Sequence, residues 1–299
     1  MRIAILGPGG VGGFLAAALE RSGSAVTLIA RDETAAVLAQ RGLRVRSVAL
    51  DAEFQASPRV ATKLSEPTDV LIIATKAIGL DAALERIERQ PALVVPLLNG
   101  VEHVAALRER FGTSAIAASI RIESDRPEIG LIEQTSRFLR IELASDDPGP
   151  RPLLEPLAES LRAAGVDTAL RDSEAQVLWS KLVRLNALAC TTSAIDRPIG
   201  FIRSDPEWRE QLERCVRETV AVGIAEGVRL DADVVMAELD ATHDSLMSSM
   251  QRDIAAGREP ELDAIPGAVL RAAARHGLEC PTVAALYDAV AARAGLPRR

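Results

Sequence analysis

The sequence predicts an α/β protein: a doubly wound parallel sheet in the N-terminal half, then an all-helical C-terminal domain. Three observations predict it. Short apolar runs alternate with helical patterns through the first half of the chain. A glycine-rich turn follows the first apolar run directly. From residue 173 onward only helical periodicity remains.

Taken in order, residues 2–6 (RIAIL) form a compact apolar strand and residues 14–21 a helix. A second strand covers 25–30 and a second helix 33–41. Residues 70–74 (VLIIA) are apolar on both faces, as a strand inside a parallel sheet must be. A helix over 81–88 leads to another buried strand at 93–97. This alternation implies right-handed crossovers. The segments 115–122 and 137–143 are expected to extend the same sheet. A loop at 145–150, a helix at 153–164 and a strand at 166–170 follow.

The second half is expected to hold helices over 174–189, 206–226, 232–246, 250–256 and 262–276, with a last one from Pro281. Pro206 at a first-turn position and Gly227 and Gly277 just past two helix ends are the expected punctuation. A boundary near residue 172 divides the chain into domains 1–172 and 173–299, a division that 299 residues comfortably support.

Composition narrows the function. Aromatic residues are only 3% against 48% hydrophobic, so aliphatic side chains must build the cores. A net charge of -7 argues against a nucleic-acid partner. Cys190, Cys215 and Cys280 have no metal-ligand spacing and read as buried small hydrophobes in a reducing compartment. His103, His243 and His276 share no spacing, and no metal site is expected. The apolar run from Ile3 to Leu19 is broken by five glycines and Pro8, so neither a membrane span nor a signal peptide is expected there. The expected location is cytoplasmic.

Gly7, Gly9 and Gly12 fit G-x-G-x-x-G between the first strand and the first helix. The first glycine permits a tight turn, the second a close approach of backbone to a pyrophosphate, the third close packing of helix on strand. The helix start then offers amide groups and its positive dipole end to phosphate. This is the pattern of a Rossmann-type dinucleotide site. The second strand ends in Ala30 and Arg31, with no acid to accept from the ribose hydroxyls. A guanidinium suits a 2′-phosphate, so Arg31 points to NADP(H). The alternative for Arg31 is a surface pair with the adjacent Asp32.

Other residues carry two readings from the sequence. Lys181 stands on an otherwise apolar helix beside Leu178, Leu182 and Leu185, where proton donation and simple reach to water fit equally. Lys76 ends a buried strand, where ligands of open α/β sheets gather. Asn99 with Gly100 is a common turn dipeptide. Ser249 also fits a helix N-cap, and Glu261 a first-turn charge.

ILGPGGVGG at the start, ATK at 74–76, LLNG at 97–100, WSK at 179–181, SSMQRDIAAGR at 248–258 and ELD at 261–263 together resemble the ketopantoate reductase (2-dehydropantoate 2-reductase) family. HGLECP near the C-terminus also fits, so the resemblance spans nearly the whole chain. It implies NADPH-dependent reduction of a branched 2-oxo acid, ketopantoate to pantoate, in pantothenate biosynthesis. It implies that Lys181 is the general acid and Glu261 its catalytic partner. By the same resemblance Lys76 and Asn99 line the nicotinamide and substrate region, and Ser249 contacts substrate. Family members carry asparagines four and eight residues after the lysine, where this chain has Leu185 and Ala189, with Asn186 nearby. An ING that follows the E-x-D is here Ile265, Pro266 and Gly267. The cofactor side is therefore retained and the substrate side altered.

The function expected is reduction of a small-molecule 2-oxo acid. The alternatives are a paralogous NADP-dependent oxidoreductase with another carbonyl or imine substrate, and a non-catalytic NADPH-sensing protein. The long helices of the second half offer a surface for a homodimer.

Overall fold

The computed structural model of the chain describes residues 1–297. Two compact units make it up. The first comprises Met1–Leu98 and His103–Val177; the second comprises Asn99–Glu102 and the chain from Leu178 onward.

The first unit opens with β1 (Arg2–Leu6), α1 (Gly10–Arg21), β2 (Ala25–Ile29) and α2 (Asp32–Arg41). A hairpin of β3 (Leu43–Ser47) and β4 (Ala52–Ala56) leads to β5 (Arg59–Ala61), β6 (Val70–Ile73), α3 (Leu80–Leu84) and β7 (Leu93–Pro96). Then come α4 (His103–Phe111), β8 (Ala117–Arg121), β9 (Ser124–Glu128), β10 (Leu131–Gln134), β11 (Arg140–Ala144), α5 (Arg151–Ala163) and β12 (Asp167–Arg171).

The main sheet runs β5-β2-β1-β6-β7, and every pair is parallel. The chain leaves β1 on the β2 side and later returns on its other side at β6. The carboxyl end of β1 is thus the switch point where open α/β sheets bind ligands. Alternate β1 residues feed two cores. Ile3 and Ile5 pack with Phe14 and Leu15, while Ala4 and Leu6 pack with Leu107 and Phe111. Each such Leu, Ile or Phe contributes about 1.5–3 kcal/mol by leaving water.

A four-stranded sheet, β4-β3-β10-β9, goes beyond what the local pattern suggested. It covers α1, which is therefore buried from Gly12 through Leu19. A Cβ at Gly13 would sit 2.6 Å from Ile132 on β10. The expectation that 115–122 and 137–143 extend the main sheet is corrected. β8 pairs antiparallel with β11, and β12 joins β11 in parallel, making a separate three-stranded sheet. An isolated bridge from Val94 to Ala115 links it to β7. An apolar run marks a strand but not its neighbour; register contacts such as Ile120 opposite Ile141 decide that.

The helical half of the chain begins at α6 (Glu174–Ile195). Its buried first residue belongs to the first unit, where Glu174 accepts from Arg108 at 2.6 Å and from the Asp146 amide at 3.1 Å. The helix outruns its expected end at 189, and the Thr191 and Thr192 hydroxyls donate to the Ala187 and Leu188 carbonyls within it. Then follow α7 (Ile199–Ser204), α8 (Pro206–Ala225), α9 (Ala232–Asp240) and α10 (Ser249–Ala255). Asp205 and Asp231 cap α8 and α9. The last of these stops short of 246, because Arg203 takes the carbonyls of Leu239, Asp240 and Thr242 that a continuing helix would use.

The expected helix over 262–276 is interrupted by a π-helical turn, Asp263–Gly267, before α11 (Ala268–Arg275) and α12 (Pro281–Arg293). Pro266 has no amide to give the Leu262 carbonyl, and Gly267 supplies the bond instead at 2.9 Å. Among the described residues no helix is long and apolar enough to cross a membrane.

Candidate active site

Sequence-marked residues collect in two places, one in each unit. In the first unit the glycine loop leaves β1 at the switch point. Gly7 has φ +104°, a region that favours glycine, and a Cβ there would lie 2.9 Å from the Ala74 carbonyl. A Cβ at Gly12 would overlap the Gly7 carbonyl oxygen. At Gly9 a Cβ would meet nothing within 4 Å, so the loop is open on that side. Helix α1 has no side-chain cap and no acid in its first turn. The buried Thr75 hydroxyl beside Gly7 has no hydrogen-bond partner among the described residues. Uncapped amides, an open glycine and an unused hydroxyl fit the phosphates of a dinucleotide.

Arg31 stands exposed at the N-cap position of α2. Its suggested surface partner, Asp32, instead lies 3.8 Å from Arg86. Lys76 is exposed just past β6, where a 3-10 turn at Ala77–Gly79 begins. On β9, Ser124 donates to the Gly10 carbonyl at 2.9 Å and Arg126 to the Pro8 carbonyl at 3.0 Å. Neither residue carries a local sequence signal, since each lies more than a hundred positions from the loop it touches.

In the second unit, Asn99 donates through Nδ2 to Glu261 Oε2 at 2.8 Å. The structure thus joins two of the sequence-marked residues across 162 positions. Gly100 has φ +86° and passes so near the Ala264 carbonyl that a Cβ would overlap it. Two residues on, Glu102 accepts from Arg271 at 2.6 Å and 3.0 Å, and Arg271 also reaches Asp263 at 2.6 Å. The turn 99–102 is therefore fastened at three points, Glu261, Ala264 and Arg271, to the stretch that contains the π-helical segment. That segment starts just after Glu261, whose carbonyl accepts from the Ile265 amide at 3.1 Å. Arg271 and Glu102 were not marked by the sequence, because an Arg on a surface helix is ordinary until its partner is known.

Lys181 is half-buried on α6, two residues after the buried Trp179. Ser249 is the first residue of α10, and its neighbour Ser248 performs the capping. The Ser248 hydroxyl is buried, takes the Gln251 amide at 3.1 Å and receives the Thr192 hydroxyl at 3.0 Å. Ser249 is thereby relieved of the capping role. Asn186 is 0% exposed: it donates to Thr219 at 2.9 Å on α8 and accepts from Cys190 at 3.3 Å. Helix packing thus uses its amide, and it is no substitute for the asparagines replaced by Leu185 and Ala189. Burial pushes the thiols of Cys190 and Cys215 up and that of Cys280 to about 11, the direction that disfavours the thiolate.

The chain matches two family models, ketopantoate reductase PanE/ApbA over residues 3–145 and its C-terminal domain over residues 175–294. The 2-dehydropantoate 2-reductase of Mycobacterium tuberculosis is 32% identical over 302 residues, covering 99% of this chain and 98% of the relative. A crystal structure of 2-dehydropantoate 2-reductase from Geobacter metallireducens superposes with a TM-score of 0.89 at 26% identity, over 97% of this chain and 99% of that one. D-mandelate dehydrogenase in a ternary structure with NADH and anilino(oxo)acetate has the same fold, with a TM-score of 0.89 at 22% identity and 99% coverage of both chains. With its parallel sheet, its helical second half and these matches, the chain belongs to the ketopantoate reductase family and is an oxidoreductase of the 2-dehydropantoate 2-reductase type.

Proposed function

We propose that the protein reduces a small 2-oxo acid with NADPH, with ketopantoate the first candidate and pantoate its product. The observation that carries this is the 2.8 Å bond from Asn99 to Glu261. It fastens together two side chains of widely separated family motifs in a way that a turn residue and a helix-start charge would not need.

Gly7, Gly9 and Gly12 hold the pyrophosphate in this reading, and Arg31 the 2′-phosphate. Bound NADPH supplies the hydride. As the ketone is reduced, negative charge grows on its oxygen, and Lys181 stabilises that charge and gives up a proton to it. For this the lysine must carry its proton at neutral pH. In this reading a carboxylate brought beside the lysine, supplied by Glu261, would favour the ammonium form, and Asn99 holds that carboxylate through its 2.8 Å bond. Lys76 and Ser249 are assigned to the substrate, whose carboxylate suits an ammonium and a hydroxyl donor.

The test is NADPH oxidation followed by absorbance with ketopantoate. The expected outcome is turnover in the wild type and a loss of about 100-fold or more in kcat for Lys181→Ala. NADPH affinity in that variant stays within about twofold. Unchanged turnover in Lys181→Ala removes the lysine from the mechanism, and tight NADPH binding without any turnover favours a sensor.

A second reading keeps the chemistry and changes the substrate. Leu185 and Ala189 put apolar groups where relatives have asparagines, and Asn186 is engaged elsewhere. A 2-oxo acid with a less polar side chain fits that change. D-mandelate dehydrogenase, a fold neighbour solved with NADH, makes an aromatic 2-oxo acid and NADH useful members of the panel. A clear preference for ketopantoate sinks this reading.

A further inference from the structure

We propose that Arg126, on β9, is a cofactor-binding residue whose guanidinium contacts the pyrophosphate of the bound dinucleotide. The inference rests on the dinucleotide reading of the glycine loop and adds to it a cation from a distant strand.

Three observations carry it. First, β9 lies directly against the loop. A Cβ at Gly10 would come within 2.9 Å of the Asp125 amide, so the strand backbone and the start of α1 are in close contact. Second, β9 side chains occupy the loop's carbonyls. Ser124 takes the Gly10 carbonyl and Arg126 the Pro8 carbonyl, at 2.9 Å and 3.0 Å. Carbonyl oxygens repel phosphate, and donors placed on them offset that repulsion. Third, the Arg126 side chain is half-buried, and among the described residues its side-chain bond is the one to the Pro8 carbonyl. The nearby Asp125 carboxylate accepts the Arg126 backbone amide at 2.9 Å, not its guanidinium.

A guanidinium has five donors in a planar fork. One, on the Pro8 carbonyl, fixes the fork at the mouth of the loop. A partly buried cation without an anionic partner is costly, and a pyrophosphate oxygen is the partner this position suits. Two other arginines of the first unit illustrate the contrast. Arg59 holds Glu66 at 2.6 Å and Arg171 holds Glu142 at 2.6 Å, each neutralised within the protein. Arg126 is a charge in reserve at the phosphate end of the site, while Arg31 stands at the end of β2 where the 2′-phosphate is read.

The two arginines are separable, because NADPH and NADH share the pyrophosphate and differ in the 2′-phosphate. The experiment is equilibrium binding of NADPH and of NADH to the full chain, by titration calorimetry or nicotinamide fluorescence. The proteins are wild type, Arg126→Gln, Arg126→Lys and Arg31→Ala, with melting temperatures recorded alongside. Arg126→Gln is expected to weaken both cofactors by the same factor, about tenfold or more. Arg126→Lys restores part of the loss, and Arg31→Ala weakens NADPH selectively. Wild-type affinity is expected to fall more steeply with ionic strength than that of Arg126→Gln, because one screened attraction is gone from the variant.

Glutamine can still donate to the Pro8 carbonyl. Affinities within twofold of wild type in Arg126→Gln therefore mean that Arg126 only holds the loop, which overturns the proposal. A loss confined to NADPH overturns the pyrophosphate assignment. A wild-type protein that binds neither cofactor defeats the dinucleotide reading itself, and the role of Arg126 with it.

Discussion

The glycine loop and the Asn99–Glu261 cluster are built by opposite means. The loop is shaped by backbone: Gly7 at φ +104°, Gly12 against the Gly7 carbonyl, and the uncapped start of α1. The cluster is shaped by side chains that meet from far apart, Asn99 with Glu261 and Glu102 with Arg271. A backbone-built site fails when a side chain is added at its close approaches, here Gly7 and Gly12. A side-chain-built site degrades by steps, as its bonds are removed one at a time. The difference follows from packing, since an added Cβ has nowhere to go in a close-packed turn, whereas a lost hydrogen bond is partly replaced by water.

Four substitutions would break or sharpen that comparison. The largest effect is expected from Gly12→Ala, whose methyl overlaps the Gly7 carbonyl. NADPH affinity should fall by more than about 100-fold, a loss on the scale of about 3 kcal/mol. An affinity near that of the wild type would show that the loop yields, and the contrast would dissolve.

Gly100→Ala is next. It forces a side chain into φ +86° and into the Ala264 carbonyl, moving Asn99 away from Glu261. We expect kcat to drop by about 100-fold through misplacement of the groups proposed for catalysis, with NADPH affinity nearly unchanged. Equal losses in both quantities would show that the two regions are not separable.

Asn186→Ala should cost about 1–3 kcal/mol of stability, because it removes buried bonds to Thr219 and Cys190. Thermal or urea unfolding measures this loss. KM for the 2-oxo acid should stay as it was; a large rise in KM would return Asn186 to the substrate side. The smallest effect is expected from Arg271→Ala. Arg271 and its partner Glu102 are both substantially exposed, so stability should change by about 1 kcal/mol or less. A several-fold fall in kcat, reversed in part by Arg271→Lys, would show that the 99–102 turn needs its Glu102–Arg271 fastening.

The two regions also differ in how much of them the sequence exposes. Gly7, Gly9 and Gly12 are legible because a strand, a tight turn and a helix start must follow one another along the chain. The covering sheet β4-β3-β10-β9 was not, since Ile132 must be brought against Gly13 before either has meaning. Asn99, Lys181 and Glu261 were marked by family motifs, yet each also fits a turn, a surface lysine or a helix-start charge. The break in the 262–276 helix has a local cause in Pro266, but a proline alone says only that the helix is disturbed. The π-helical outcome depends on Gly267 reaching the Leu262 carbonyl.

By itself the sequence determined the α/β half, the helical half, the glycine turn between β1 and α1, and the family. Each of these depends on periodicity or on residues close together in the chain, where local sterics and hydrogen bonding decide the shape. The tertiary structure decided which strands share a sheet, that Asn186 serves helix packing, and that Asn99 meets Glu261. It also set Arg126 against the glycine loop. All of these are contacts between distant segments, and their energies exist only once the cores have brought those segments within bonding distance.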